Sequence, residues 1–255
     1  MSAFPADFAR AVVRPSPNFG PRRDCERPSL IILHYTGMIT GQAAEDWLCV
    51  PESEVSSHYL VHEDGSVVQM VREADRAWHA GRSIWGGNAD INSHSVGIEI
   101  VNPGHFLGYT PFPDDQIAAV VDLCRDIATR HAMLPEGILA HSDVAPGRKI
   151  DPGELFPWAS LHAAGIGHFV QPEPIGDDLP FGLCATSPDV AKTQQMLADY
   201  GYGIQVSGVL DEAARIVVEA FQRHFRPERV DGLIDRSTRL TLSRLLRNLP
   251  VSPSV

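Results

Sequence analysis

The chain has 255 residues, 44% of them hydrophobic and 21% charged, the make-up of a globular protein with a buried core, and this excludes a disordered or fibrous chain. A formal net charge of -11 with no run of Lys or Arg repels a phosphate backbone, so nucleic acid is excluded as a partner. The apolar runs, such as Leu30 to Leu33 and Val96 to Ile98, fall far short of the roughly 20 residues a membrane helix needs, so no transmembrane segment is expected.

The opening residues, MSAFPADFARAVVRPSP, show neither a basic start nor a sustained apolar segment, and no secretory signal is read from them. Residues 1–27 are expected to pack on the domain that follows. Cys25, Cys49, Cys124 and Cys184 lack CxxC spacing and read as reduced thiols, which together with the missing signal points to the cytoplasm. Leu30 to Leu33 read as a buried strand that delivers His34 at its end. Ala43 to Val50 predict a short helix, and VSSHYLV and SVVQMV a hairpin around His62-Glu63-Asp64-Gly65. His58 and His62 share a strand face with Leu60 and read as packed or hydrogen-bonded imidazoles, whereas His94 and His105 read as peripheral.

The run SVGIEIVN predicts a strand with Val96, Ile98 and Ile100 on one face and Gly97, Glu99 and Val101 on the other, which sets Glu99 as an acid inside an apolar strand. From Asp114 to His131, apolar residues including Ile117, Val120, Cys124 and Ile127 recur at helical spacing behind the start signal Pro113-Asp114. Strands mixed with helices over the first 165 residues predict an α/β domain, a central mixed sheet flanked by helices, spanning residues 28–168. The pattern does not fix the strand order. After Phe169 the run VQPEPIGDDLPFG reads as a linker over residues 169–182. Residues 183–250 predict a small helical domain, with helices starting near Ser187-Pro188, after Asp211 and after Asp235. VSGVLDEAAR and VDGLIDRSTR are near-copies, an internal repeat of a turn, a cap and a helix.

A catalytic zinc site takes three protein ligands and keeps a fourth position for water. His34 at a strand end, His141 after the run Gly137 to Ala140, and Asp151 in the loop GRKIDPG offer two imidazoles and a carboxylate. Taken singly, each histidine also fits a satisfied core residue. The segment HSDVAPGRKIDPG, however, combines His, Asp, Arg and Lys with Gly and Pro turns, a mixture that core stability does not call for.

LIILHYTG, VSSHYLVHEDG, WHAG, SVGIEIVN and HSDVAPGRKIDPG, in this order, resemble the amidase_2-type N-acetylmuramoyl-L-alanine amidases over residues 28–162. That family is similar in fold to phage T7-type lysozyme and the animal peptidoglycan recognition proteins. The resemblance implies a Zn2+ cofactor held by His34, His141 and Asp151, with Glu99 as the catalytic acid-base residue and Lys149 as the transition-state stabiliser. It also implies substrate contacts at Trp78, His79 and Ala80 of the WHAG segment, and at Asn102 and Arg148. The loop from Arg82 to Asn92 is expected to shape the groove.

The C-terminal repeats resemble the three-helix peptidoglycan-binding domain fused to such amidases, a role that rests on resemblance alone, with bracing of the catalytic domain as the alternative. The implied activity is zinc-dependent hydrolysis of the amide between N-acetylmuramic acid, or its 1,6-anhydro form, and L-alanine, in cell-wall turnover or recycling. The implied partner is peptidoglycan or a muropeptide. A non-catalytic recognition protein of the same fold and a zinc peptidase cutting within the stem peptide are the other readings. A wall-binding domain favours the periplasm, against the cytoplasmic reading.

Overall fold

The computed structural model describes residues 4–249; Met1 to Ala3 of the N-terminal extension and residue 250 of the C-terminal span lie outside them. A six-stranded sheet runs in the order β1 (Val12–Val13), β5 (Val67–Gln69), β4 (Tyr59–Val61), β7 (Ser95–Ile100), β3 (Leu30–Tyr35) and β8 (Ile138–Ala140). β4 and β5 pair antiparallel as the expected hairpin, and the other pairs are parallel, so the sheet is mixed. Two short strands that the sequence pattern does not show, β2 (Phe19–Pro21) and β6 (Asp75–Ala77), pair beside it.

The period of two assigns each face. Ile31 and Leu33 of β3, Val96, Ile98 and Ile100 of β7, and Tyr59 and Val61 of β4 pack with Val120, Leu123, Cys124 and Ile127 of α3 (Asp114–His131). α3 forms where its periodicity places it: Asp114 and Asp115 sit in the first turn, Arg130 and His131 in the last, and Ala132 ends the helix in the left-handed region. The opposite face divides. Its upper part, with Leu60, Val68 and Val101, packs on α1 (Gly41–Leu48), whose N-cap Thr40 accepts from the Ala43 N–H. Its lower part, with Ile32 and Leu139, is covered with Ile91 of α2 (Ile91–His94) by the C-terminal helices.

Those helices are α6 (Pro188–Tyr200), α7 (Glu212–Phe225) and α8 (Arg236–Arg247), preceded by the short α4 (His141–Val144) and α5 (Trp158–Ala163). Ser187, Asp211 and Asp235 cap α6, α7 and α8, the three starts the sequence predicts. The repeat has a structural counterpart. Gln194 of α6 accepts from the backbone N–H groups of Ser207 and Gly208, and Gln222 of α7 accepts in the same way from Asp231 and Gly232. Gly208 and Gly232 occupy the left-handed region that each turn needs.

Residues 169–182, expected as a linker, do not run free. Val170 is buried, the Glu173 N–H donates to Thr241 Oγ1, the Ser237 hydroxyl donates to the Glu173 carbonyl, and Arg244 pairs with the Glu173 carboxylate. The segment is a strap along α8. The loop from Arg82 to Asn92 turns the same way: Trp85 packs edge-on against Tyr200 and Tyr202, and the Gly86 N–H donates to the Gly201 carbonyl. The loop is thus held by the C-terminal helices; none of its residues lines the cavity described below, and it bears on that cavity through Asn92, whose Oδ1 accepts the N–H groups of His79 and Ala80. Among the described residues no helix is long and apolar enough to cross a membrane.

Candidate metal centre and active site

Strand register assembles the site. β3 and β7 align His34 with Glu99, and β7 and β4 align Glu99 with Leu60, so Glu99 sits on an inner strand beside His34 on the α1 side of the sheet. β3 and β8 align Leu33 with Ala140, and His141 follows immediately as the first residue of α4. Residues 141–144, expected as part of one loop, thus form a helical turn, and its second N–H, from Ser142, donates to the Asp151 carbonyl at 3.0 Å. That bond ties the third ligand candidate to the helix that carries the second.

His34 Nδ1, His141 Nδ1 and Asp151 Oδ2 converge: the two nitrogens are 2.9 Å apart, and the oxygen lies 3.1 Å and 2.9 Å from them. Burial, followed by the neighbouring His141, lowers the His34 imidazole to about 4. Burial pushes the Asp151 carboxyl up, but the charge and hydrogen bonds of His141 and His34 outweigh it and hold the group well below the usual carboxylate range. A neutral imidazole and an ionised carboxylate are the forms that bind a metal.

The far ring nitrogens show which atoms carry protons. The Ser95 hydroxyl donates to the Ile91 carbonyl at 2.6 Å, so its oxygen is left to accept from His79 Nε2–H at 3.1 Å. His79 Nδ1 then accepts from His34 Nε2–H at 3.0 Å, which leaves His34 Nδ1 with a free lone pair. His141 Nε2–H points to the Ala80 carbonyl at 3.2 Å, with the same result. Two imidazole nitrogens and one carboxylate oxygen aimed at a common point, with a partner behind each ring, fit a divalent metal.

The three groups line a cavity of about 410 Å³ together with Glu99 and Lys149. Burial, and next the charge of Asp151, push the Glu99 carboxyl well above its ordinary range against the pull of Lys149, and its Oε2 has no hydrogen-bond partner. A carboxyl in that state can take a proton and give it back. Trp78 and His79 also line the cavity.

The other expected substrate contacts sit elsewhere. Ala80 is buried, and its carbonyl is used by His141 and Arg148. Asn102 is buried, holding the Thr110 carbonyl and the Gly104 N–H. Arg148 turns back to the Ala80 and Arg82 carbonyls. None of the three reaches the cavity wall, because each is committed to fixing the local backbone.

Sequence reasoning missed Tyr35, Met38, Trp47, Val55 and Phe106, which also line the cavity. Trp47 is 50% and Phe106 91% exposed, unusual for aromatic side chains without a ligand to cover them, but an isolated Trp or Phe carries no such signal in a sequence. His105, expected to be peripheral, supports this wall: it stacks on Tyr109, donates from Nε2 to Glu154 and accepts the Tyr35 hydroxyl at 3.0 Å. His58 and His62 are hydrogen-bonded structural groups, to the Gly97 N–H and to Glu45.

Comparison with known proteins identifies the family. The profile of the Amidase_2 family, N-acetylmuramoyl-L-alanine amidase, matches residues 24–154, and that of a peptidoglycan binding domain matches residues 186–242. N-acetylmuramoyl-L-alanine amidase AmiD of Escherichia coli is 35% identical over 236 residues, covering 86% of this chain and 83% of that protein. The 1,6-anhydro-N-acetylmuramyl-L-alanine amidase AmpD of Escherichia coli is 36% identical, covering 57% of this chain and 86% of its own length. The solved complex of Escherichia coli AmiD with anhydro-N-acetylmuramic acid-L-Ala-D-gamma-Glu-L-Lys superposes with a TM-score of 0.74 at 34% identity, over 92% of each chain. The chain belongs to the N-acetylmuramoyl-L-alanine amidase family.

Proposed function

We propose that the protein is a zinc-dependent N-acetylmuramoyl-L-alanine amidase that cleaves the amide between N-acetylmuramic acid, or its 1,6-anhydro form, and L-alanine in muropeptides or peptidoglycan. The observation that carries the reading is the convergence of His34 Nδ1, His141 Nδ1 and Asp151 Oδ2 in a cavity that also holds Glu99 and Lys149. The substrate class is supported by the relatives, two of which are named for the anhydro sugar or solved with it.

A zinc ion in a three-ligand site polarises an amide carbonyl and brings the pKa of water to about 7. Glu99, with a buried and unpartnered Oε2, accepts the proton of the attacking water and delivers it to the departing amine of L-alanine. The Lys149 ammonium faces the same cavity and offsets the negative charge that builds on the carbonyl oxygen. Trp78, Trp47 and Phe106 give the sugar and stem peptide an aromatic rim. Residues 186–242 are read as a wall-binding unit.

A cytoplasmic location is part of the reading, supported by four unpaired cysteines, and it assigns the enzyme to recycling of imported fragments. Recovery of the native chain from the periplasm would reassign it to trimming of the wall.

The test is incubation of the purified protein with a defined anhydro-muropeptide and with reducing-end muropeptides, with and without a zinc chelator, followed by mass spectrometry. Chelator-sensitive release of an intact peptide headed by L-alanine is expected. Free D-alanine would indicate a peptidase, and no cleavage by the zinc-loaded protein would indicate a recognition protein.

A further inference from the structure

The turn of helix that carries His141 is fixed by one buried carboxylate. Asp143 is 0% exposed; its Oδ2 accepts the Ala140 N–H at 2.8 Å and so caps α4 from within. The same turn holds Asp151 through the Ser142 N–H, so whatever steadies Asp143 steadies two of the three metal-ligand candidates.

The remaining capacity of Asp143 is filled from far along the chain. The Tyr202 hydroxyl donates to Oδ1 at 2.6 Å across 59 positions, and His224 Nδ1–H donates to Oδ2 at 2.6 Å across 81 positions. Both donors belong to the C-terminal helical unit, and both are nearly inaccessible, at 3% and 2% exposure. Neither is free to turn away. The His224 ring lies flat on Trp158 with centroids 3.7 Å apart, and the Tyr202 ring meets Trp85 edge-on at 4.9 Å.

The packing around them is continuous: Leu139, Val144 and Ala145 of the catalytic part share one apolar cluster with Val217, Val218 and Phe221 of α7. Bonds of 2.6 Å from donors that cannot turn away hold both carboxyl oxygens in place. Where water cannot reach, losing one donor leaves a buried acceptor unsatisfied, and the side chain must move to find another partner. Movement of Asp143 releases the Ala140 N–H and with it the first turn of α4.

We propose that Tyr202 and His224 are positioning residues for the metal ligand His141, acting through Asp143. The C-terminal helical unit is then a working part of the metal centre as well as a candidate wall-binding attachment. This rests on the reading of His34, His141 and Asp151 as the metal ligands.

The experiment compares zinc release from the full-length, zinc-loaded chain to a chromophoric chelator, and the visible spectrum of the cobalt-substituted chain, across three variants. Tyr202→Phe removes one hydroxyl and keeps the ring, and His224→Phe removes the donor and keeps the stack on Trp158. Leu242→Ala opens the core of α8 and removes no hydrogen bond to Asp143. A partner behind a metal ligand is worth about 10- to 100-fold in metal affinity, so Tyr202→Phe and His224→Phe are expected to release zinc at least about tenfold faster and to shift the cobalt bands. Leu242→Ala is expected to lower the melting temperature at least as much and to release zinc at the wild-type rate.

Wild-type release and an unchanged cobalt spectrum in both ring variants would overturn the proposal while leaving the metal site intact. If His224→Phe does not fold, Tyr202→Phe alone decides the matter. A wild-type chain that takes up neither ion overturns the metal-site reading and the proposal with it.

Discussion

Gly97 lies directly beneath the imidazole of His79: a Cβ at position 97 would stand 2.5 Å from His79 Cγ. Gly97 pairs in register with Ile32, two residues before His34, so the missing side chain makes the hollow in which the ring supporting His34 rests. Its backbone is that of an ordinary strand, and the requirement is for space. Gly97→Ala is therefore expected to displace His79, cost about 1 to 3 kcal/mol in stability from overpacking, and weaken zinc binding by roughly tenfold or more through the lost bond to His34 Nε2. Thermal unfolding and chelator competition measure the two effects; a variant with wild-type zinc affinity would show that His79 does not orient His34.

Glu99 has the position of a proton carrier, and Glu99→Gln keeps its shape while removing that ability. A turnover number lower by about 10² to 10⁴ is expected, the usual worth of a general acid-base group. Bound zinc should stay at the wild-type stoichiometry, since Glu99 is not among the three converging groups. Metal analysis alongside muropeptide turnover checks both halves, and retained turnover would remove Glu99 from the reaction.

Acid should loosen the chain through His58. Its Nδ1 accepts the Gly97 N–H and its Nε2–H faces the Asp75 carbonyl, so the folded state needs the neutral ring. Burial first, then the Arg22 guanidinium at 3.2 Å, lower the group to about 3, with Glu73 pulling the other way and His131 adding to the drop. The unfolded ring titrates near 6.5, so between pH 6.5 and 3 the unfolded chain binds a proton that the folded chain does not. The stability gained by keeping His58 neutral is complete above pH 6.5 and falls as the pH drops, by up to about 1.4 kcal/mol per unit. Urea midpoints at pH 7 and pH 5 on metal-free protein should differ less in His58→Gln than in the wild type. Equal differences would exclude His58 as a source of acid sensitivity.

The ligand candidates were legible because each marks a place where an apolar strand gives way to a polar residue: His34 ends the run from Leu30, and His141 follows the run to Ala140. Glu99 was legible by alternation, and α3 by its periodicity. Asn102, Ala80 and Arg148 illustrate the limit. Whether Asn102 or Arg148 points into a cavity or back to a carbonyl depends on local turns that no spacing encodes. The C-terminal helices pose a different problem. Ile32 and Leu139 are buried whether a helix of their own domain or of another covers them, so the apolar pattern does not name the partner. The bonds from Tyr202 and His224 to Asp143 span too many positions to leave any local trace.

The repeat in the C-terminal unit makes an internal comparison possible. Gln194 and Gln222 are both 0% exposed and each satisfies two backbone N–H groups of the following turn while donating to a carbonyl, of Val209 and of Leu233 respectively. The turns differ in exposure: Ser207 is exposed and Gly208 half-buried, whereas Asp231 is half-buried and Gly232 buried. Gln222 also reaches Asp231 Oδ1 and Thr238 Oγ1, the latter on α8. Removing Gln194 leaves groups that water can partly satisfy, so Gln194→Ala is expected to cost about 1 to 2 kcal/mol. Removing Gln222 strands buried donors and loosens the start of α8, for about 2 to 4 kcal/mol, built from roughly 1 to 3 kcal/mol per unsatisfied group. Chemical denaturation of the two variants tests the order; an equal or reversed cost would mean that hydration of the turn, and not the side-chain lock, sets its stability.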